Sequence, residues 1–375
     1  MKFIVSSANL KNQLVILNGI ITTNPVVPIL ENFLFEIEDS ELKITASDLQ
    51  TSMITALDVE ANENGSIAVP AKILLETLRN LPEQPVTFSI DESTYSIEIN
   101  SDNGRYKLSG ENATDFPKIP EAPMDVYSVH IGSHVLSKAL GNTIFATSND
   151  ELRPAMTGVF FRFDNAAATL VATDSHRLIR YKRTDVVSES DHVMIIPRKA
   201  LNFLKTTLPT EDTNVNILFN SSNAFFLFND VKMVCRLIDE RFPDYENVIP
   251  INNDNVMTID KGIFLNSLKR IGIYANKTNH QIKLKITGSE LVISAEDLDF
   301  SNEANERLVC EHDGEDIEIG FNAKFLLEIL GTIDSDRVIL KLSSSDRAGL
   351  LFPEDKDDNE DILMLVMPLM ISDYA

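Results

Sequence analysis

The stretch Leu42-Lys43-Ile44-Thr45-Ala46-Ser47-Asp48 decides the fold, because the chain repeats its grammar twice. Its relatives are Leu170-Val171-Ala172-Thr173-Asp174 and Leu291-Val292-Ile293-Ser294-Ala295-Glu296-Asp297. Each follows a second apolar arm across a polar turn. The arms are Asn32 to Ile37, Gly158 to Phe163 and Ile282 to Ile286, and the turns are Asp39-Ser40, Asp164-Asn165 and Gly288-Ser289. Alternating apolar residues on either side of such a turn predict a β-hairpin. The closing aspartates Asp48, Asp174 and Asp297 stand 126 and 123 residues apart.

Two further markers keep the same phase. Lys72, Lys199 and Lys324 are 127 and 125 apart, and each opens a short run of helix formers after a strand-like stretch. Pro70 and Pro197 suit a first helical position and Asn322 an N-cap. Phe116-Pro117, Phe242-Pro243 and Met367-Pro368 are 126 and 125 apart. A period of about 125 residues is domain-sized. The chain therefore reads as three tandem copies of one domain, over 1–121, 126–250 and 256–375. Proline-marked linkers lie near Ile119 to Pro123 and Val248 to Asp254. Each copy also opens with an amphipathic helix, over Leu10 to Leu17, Val135 to Phe145 and Ile263 to Ile273. Two helices with a larger number of strands per copy make the class α+β, helices on antiparallel sheets.

A chain of 375 residues has room for three such domains. Hydrophobic residues make up 43% and charged residues 24%, the range of ordinary globular chains, which excludes general disorder. Two cysteines, Cys235 and Cys310, give neither a disulfide framework nor a paired metal motif. The longest apolar run, Ile362 to Ile371, is half the length of a membrane helix and contains Pro368. The opening Met1-Lys2-Phe3-Ile4-Val5-Ser6-Ser7 lacks a signal-peptide core. The expectation is a cytoplasmic protein with no membrane association.

The net charge is −24, which disfavours adhesion to nucleic acid over the whole surface. The six predicted helices nevertheless sum to +9, leaving −33 for the rest of the chain. Lysine and arginine are good helix formers, but so is glutamate, and only Glu76 and Glu328 occur in these helices. The candidates for a phosphate-facing surface are Lys11, Lys72, Arg79, Lys138, Arg198, Lys199, Lys205, Lys269, Arg270 and Lys324. A basic face on an otherwise acidic chain suits a protein that holds a phosphate backbone along one side only.

Enzymatic signatures are wanting. There is no G-x-x-x-x-G-K-[ST] loop and no G-x-G-x-x-G. Asp174-Ser175-His176 has the residue types of a triad, but on an extended strand neighbours point to opposite faces. Asp355 to Asp361 resembles a calcium loop without its sixth-position glycine and reads as a solvated hairpin tip. His130 and His134 fall on a strand and a helix, so no zinc site is expected. No metal and no cofactor is expected. The rival reading is a metal-dependent phosphoryl-transfer enzyme using the acidic loops. The final run Leu363 to Ile371 reads as a buried strand whose Met- and Pro-bearing end can also line a groove for a partner peptide.

Three motifs carry a resemblance. Thr173-Asp174-Ser175-His176-Arg177-Leu178 resembles a T-D-G-H-R-L stretch, Arg241-Phe242-Pro243-Asp244-Tyr245 an R-F-P-D-Y, and Val366-Met367-Pro368-Leu369 a V-M-P-M ending. With the three-copy plan, the chain resembles the bacterial sliding clamps, the beta subunit of DNA polymerase III, over its full length. The resemblance implies a DNA-clamp fold and a head-to-tail homodimeric ring that encircles duplex DNA without sequence preference. It implies no catalysis. It also implies a groove for short motifs of the replicative polymerase, the clamp loader and other clamp-motif proteins. By position, its lining would be Met156, Thr173, Ser175, His176, Arg177, Leu178, Pro243, Val248, Val366, Met367, Pro368 and Leu369. The ring contact would join Tyr106 and Leu108 to Ile273 and Tyr274 of a neighbour. The chain departs from the family at Ser175, where glycine is usual, and at Asn247 and Asn24, where arginine is usual. It also departs in its ending, Met370 to Ala375, where a short basic end is usual.

Overall fold

The hairpins form where the three repeated stretches lie. Asn32–Glu38 pairs with Glu41–Ser47, Gly158–Phe163 with Ala168–Thr173, and Gln281–Thr287 with Glu290–Asp297, all antiparallel. The first turn is tight because Asp39 and Ser40 both take positive φ, 48° and 67°, the geometry that follows the twist of the flanking strands. The computed structural model describes residues 1–122 and 127–371. Pro123 of the first linker, the first residue of the expected second copy (Val126) and the terminal residues 372–375 lie outside them.

Among the described residues six α-helices follow in the expected order: α1 Ser7–Leu17, α2 Ala71–Arg79, α3 Ser133–Thr143, α4 Arg198–Thr207, α5 Lys261–Ile271 and α6 Ala323–Thr332. Asn322 is the N-cap the sequence marks, and Ser6 and Asp260 cap two other helices. Ser6, Asp260 and Asn322 accept hydrogen bonds from the amides of Asn9, Ile263 and Lys324. Pro70 and Pro197 differ from expectation by one position. Each ends a strand and precedes the helix, and Pro70 has ψ 111°, so it turns the chain instead of entering the helix. α1 buries Leu10, Leu14 and Leu17, one stripe at helical spacing.

The chain folds into two compact units, residues 1–136 with 199–237, and residues 137–198 with 238 onward. In the first unit, a five-stranded sheet runs in the order Glu60–Ala61, Lys2–Ser6, Pro85–Asp91, Ser96–Asn100, Arg105–Ser109. The rings of Phe3 and Phe88 stack at 4.7 Å beneath it, with Phe35 tilted against both. An eight-stranded sheet joins the first copy to part of the second. Its order is Tyr127–Gly132, Asn214–Phe219, Asn223–Phe228, Val231–Arg236, Thr51–Asp58, Glu41–Ser47, Asn32–Glu38, Gly65–Pro70. The two copies meet where Met233 stands opposite Met53.

The second unit repeats this device. Its nine-stranded sheet runs His192–Pro197, Gly158–Phe163, Ala168–Thr173, Arg177–Arg183, Glu360–Val366, Gly349–Pro353, Arg337–Leu342, Asn255–Asp260, Glu311–Asp313. The second copy meets the third where Arg180 stands opposite Leu363. A four-stranded sheet completes the unit, in the order Asn302–Val309, Glu290–Asp297, Gln281–Thr287, Ile317–Asn322. The middle copy therefore divides its strands between the two units.

Three sequence readings need correction. Asp174-Ser175-His176 lies in the turn between two strands, not on one. There Asp174 Oδ1 accepts the amides of His176 and Arg177, and Oδ2 accepts from Arg177 Nε at 3.1 Å, so the carboxylate is aimed at arginine and not at histidine. The acidic tip is exposed only through Asn359. Glu360 is buried, accepting from Tyr181 Oη at 3.1 Å and pairing with Lys138 at 2.8 Å. Met367-Pro368 follows its last strand directly. Phe116 and Phe242 come seven and six residues after theirs, so the third marker is equivalent in two copies only.

Candidate peptide groove and basic helix faces

In the second unit the strands Ala168–Thr173, Arg177–Arg183 and Glu360–Val366 bring Thr173, Leu178 and Leu365 to one place. The chain from Phe242 to Pro250 packs across them. Phe242 and Tyr245 are buried, and Phe242 stacks on Phe160 at 5.0 Å. Apolar burial of this kind, worth about 25 cal/mol per Å², holds the segment down. Between them opens a cleft of about 580 Å³. Eight of the twelve expected groove residues line it: Met156, Thr173, Ser175, Arg177, Leu178, Pro243, Val248 and Met367.

The other four stand elsewhere. The His176 ring stacks on Phe325 at 5.8 Å. Val366 is fully buried, the last residue of its strand. Leu369 donates its amide to Gly320 O at 2.8 Å, carrying Pro368 with it along the strand Ile317–Asn322. Sequence reasoning missed Tyr245, Ile249, Ala348 and Leu365, which also line the cleft. The alternating Ala348, Leu350, Leu363 and Leu365 marked two buried arms, but not that they end at a cleft.

Arg177 forms part of the floor and is 7% exposed. Its Nε donates to Asp174, Nη1 to Glu328 on α6, and Nη2 to Phe145 O at 2.9 Å. The rings of Phe145 and Phe325 lie 5.0 and 4.8 Å from its guanidinium carbon. With two carboxylates and a carbonyl already bound, it is a brace and not a free cation. Ser175 takes φ 76°, a conformation that favours glycine. Its hydroxyl accepts from Arg153 at 2.7 Å and lies 3.4 Å from Met156 Sδ.

The rim is polar and of mixed charge, with Asp244, Asn247, Asp346 and Arg347. Asn247 donates to Asp244 at 2.8 Å. Asp346 accepts from the Ser344 hydroxyl at 2.6 Å, which holds its carboxyl below the usual range. Burial pushes the Tyr245 phenol up.

The ten expected phosphate-facing cations fall into two groups. Lys138 pairs with Glu360, Lys199 with Asp48, and Arg270 with both oxygens of Glu306 at 2.7 Å. Among the described residues, Lys11, Lys72, Arg79, Arg198, Lys205, Lys269 and Lys324 have no carboxylate within ion-pair distance. The expected ring-contact residues lie at sheet and helix ends. Leu108 is buried and Tyr106 half-buried on the edge strand Arg105–Ser109, while Ile273 and Tyr274 are 64% and 43% exposed after α5. Among the described residues no group of three or more His, Cys, Asp or Glu side chains could hold a metal ion, and no helix is long and apolar enough to cross a membrane.

Comparison with known proteins bears on the family and the fold. Profiles of the N-terminal, central and C-terminal domains of the DNA polymerase III beta subunit match residues 1–120, 130–244 and 246–369. The beta sliding clamp of Pseudomonas aeruginosa is 28% identical over 366 residues, covering 97% of this chain and 99% of that protein. That of Vibrio cholerae is 28% identical over 372 residues, covering 99% and 100%. A crystal structure of the Pseudomonas aeruginosa sliding clamp, DNA polymerase III subunit beta, superposes with a TM-score of 0.93 at 28% identity, covering 99% of this chain and all of that one. The three domain profiles succeed one another in order along nearly the whole chain, and the protein belongs to the family of the DNA polymerase III beta subunit, the bacterial sliding clamps.

Proposed function

We propose that the protein is a DNA sliding clamp that acts without catalysis. Two chains close head to tail into a ring around duplex DNA. A closed ring cannot leave the duplex sideways, so retention needs little affinity, and weak phosphate contacts from the basic helices leave it free to slide. A polymerase held by the ring stays at high effective concentration near the primer end. The apolar cleft of the second unit receives short motifs of the polymerase, the clamp loader and other partners. Its exposed apolar lining, Met367 and Val248, supports this use. The copy limits 1–121, 126–250 and 256–375 belong to the same proposal.

One observation carries ring closure. The strand after the closing turn of copy one, Thr51–Asp58, pairs with the last strand of copy two, Val231–Arg236. The strand after the closing turn of copy two, Arg177–Arg183, pairs with the last strand of copy three, Glu360–Val366. The next pair in this cycle is Asn302–Val309 and the last strand of copy one, Arg105–Ser109. Both are edge strands. Unpaired edges invite strand addition, and a heterologous contact that closes makes a ring.

Negative-stain images of the purified protein are expected to give a two-fold ring with a central hole. Particles of single open chains at micromolar concentration would overturn the reading. A magnesium-dependent nuclease assay on the same sample addresses the rival enzyme and is expected to show no cleavage.

A further inference from the structure

The closing turns are built alike. The carboxylates of Asp48, Asp174 and Asp297 each accept the amide two residues on, from Gln50, His176 and Asp299, at 3.0, 3.0 and 3.2 Å. In the first two copies the turn then engages the second helix of the following copy. Asp48 holds Lys199 at the start of α4. His176 and Arg177 lie against Phe325 at the start of α6. At the third turn no ion pair or ring contact with such a helix occurs among the described residues. Asp297 is 1% exposed and its Oδ2 has no hydrogen-bond partner, while Leu298 and Phe300 beside it are 68% and 70% exposed.

The helix that would follow in a closed cycle is α2. The buried residues Leu74, Leu75 and Leu78 of α2 match Ala200, Leu201 and Leu204 of α4 at a constant spacing of 126. Leu326 and Leu330 of α6 continue the series from Ala200 and Leu204 at the same spacing. In this register Lys199 and Phe325 correspond to Ile73. Ile73 is 49% exposed, and Lys72 precedes it, also exposed and without a carboxylate partner among the described residues.

We infer that the first turn of α2 of a second copy docks on the turn Asp297–Ser301, with Ile73 against Leu298 and Phe300. This rests on the homodimeric ring and names a contact within it. The chemistry differs at each joint. Copy one meets copy two through an ion pair, and copy two meets copy three through a stacked ring. Between chains an aliphatic side chain meets two exposed apolar ones, and burying them supplies the driving force. Lys72 arrives on the same turn of helix and brings a cation towards Asp297 and Asp299, which have none among the described residues of their own chain.

The test is a double-mutant cycle read by sedimentation velocity over a concentration series. Ile73→Asp and Phe300→Ser each remove one side of the contact, and both side chains are exposed, so the fold of the chain should persist. Leu298→Ser replaces Phe300→Ser if thermal melting finds that variant destabilised. Each single variant is expected to raise the dimer dissociation constant about ten-fold or more, and the double variant no further than the worse single. A wild-type protein that sediments as one chain throughout sinks the homodimer itself. A wild-type dimer whose constant the single variants leave unmoved, or in which their effects simply add, keeps the homodimer and overturns this docking.

Discussion

The ammonium of Lys138, on the helix that opens copy two, lies 2.8 Å from the carboxylate of Glu360, on the last strand of copy three. The glutamate side chain is 2% exposed and the lysine 27%. Tyr181 donates to the same oxygen, and Arg183, bound to Asp185, stands 3.7 Å away. The cluster is a tie between copies inside one unit, and Lys138 is thereby drawn away from the free cations.

Lys138→Met leaves the buried carboxylate short of a charge partner. The expected cost is about 3 kcal/mol, the usual loss when one side of a buried pair is removed. Lys138→Met with Glu360→Gln should recover part of it, since no carboxylate then remains buried without its lysine and Arg183 keeps Asp185. Thermal melting checks both. A single variant that melts with the wild type would show that Arg183 and Tyr181 suffice.

Ser175 carries positive φ without being glycine. Backbone strain of this kind is worth about 1–3 kcal/mol. Ser175→Gly relieves it and gives up the exposed bond from Arg153, which keeps its partner Asp150, and the contact with Met156 Sδ. A higher melting temperature is expected. A lower one would mean that the Arg153–Ser175–Met156 chain of contacts outweighs the strain.

Leu178 is 2% exposed and part of the core beneath the cleft, so truncating it disturbs the fold as well as the groove. Met367 and Val248, 41% and 55% exposed, give a cleaner test. Met367→Ala with Val248→Ala should weaken a polymerase-derived peptide by about 2 kcal/mol, as truncation of apolar anchors does. Fluorescence polarisation measures it, and sedimentation of the same sample should still find the dimer. Unchanged affinity would assign the terminal run to the core alone.

The division among the cations predicts unequal effects on DNA. Neutralising Arg198, Lys205 and Lys269 together should weaken duplex binding and flatten its dependence on salt, because a phosphate that no cation neutralises keeps its counterions. Neutralising Lys199 or Arg270, already held by Asp48 and Glu306, should do less. Base sequence should not matter, since phosphate contacts carry none. Titration of a short duplex at several salt concentrations is the measurement. Equal effects in the two sets would mean that those ion pairs open on DNA.

By itself the sequence determined the repeat, the class and the local elements. These depend on interactions a few residues apart. Asp39-Ser40 turns the chain where it stands, Asn322 caps the helix that begins beside it, and the stripe of Leu10, Leu14 and Leu17 needs only helical spacing. The motifs around Arg177, Pro243 and Met367 pointed to the cleft only through the family resemblance, and eight of the twelve residues it implied line it. Tertiary structure alone decided what joins across distance. No local signal says that Val231–Arg236 pairs with Thr51–Asp58, because a strand edge offers the same amides and carbonyls to any partner. A charge count cannot tell Lys205, free on its helix, from Lys199, held by Asp48, because a cation takes its partner from whatever the fold sets within reach. For the same reason Arg177 became a brace that ties its neighbour Asp174 to Glu328, which lies 151 positions further along the chain from the arginine. Asp297, with the same sequence grammar as its two counterparts, keeps one oxygen without a hydrogen-bond partner among the described residues, where Asp48 meets Lys199 and Asp174 meets Arg177.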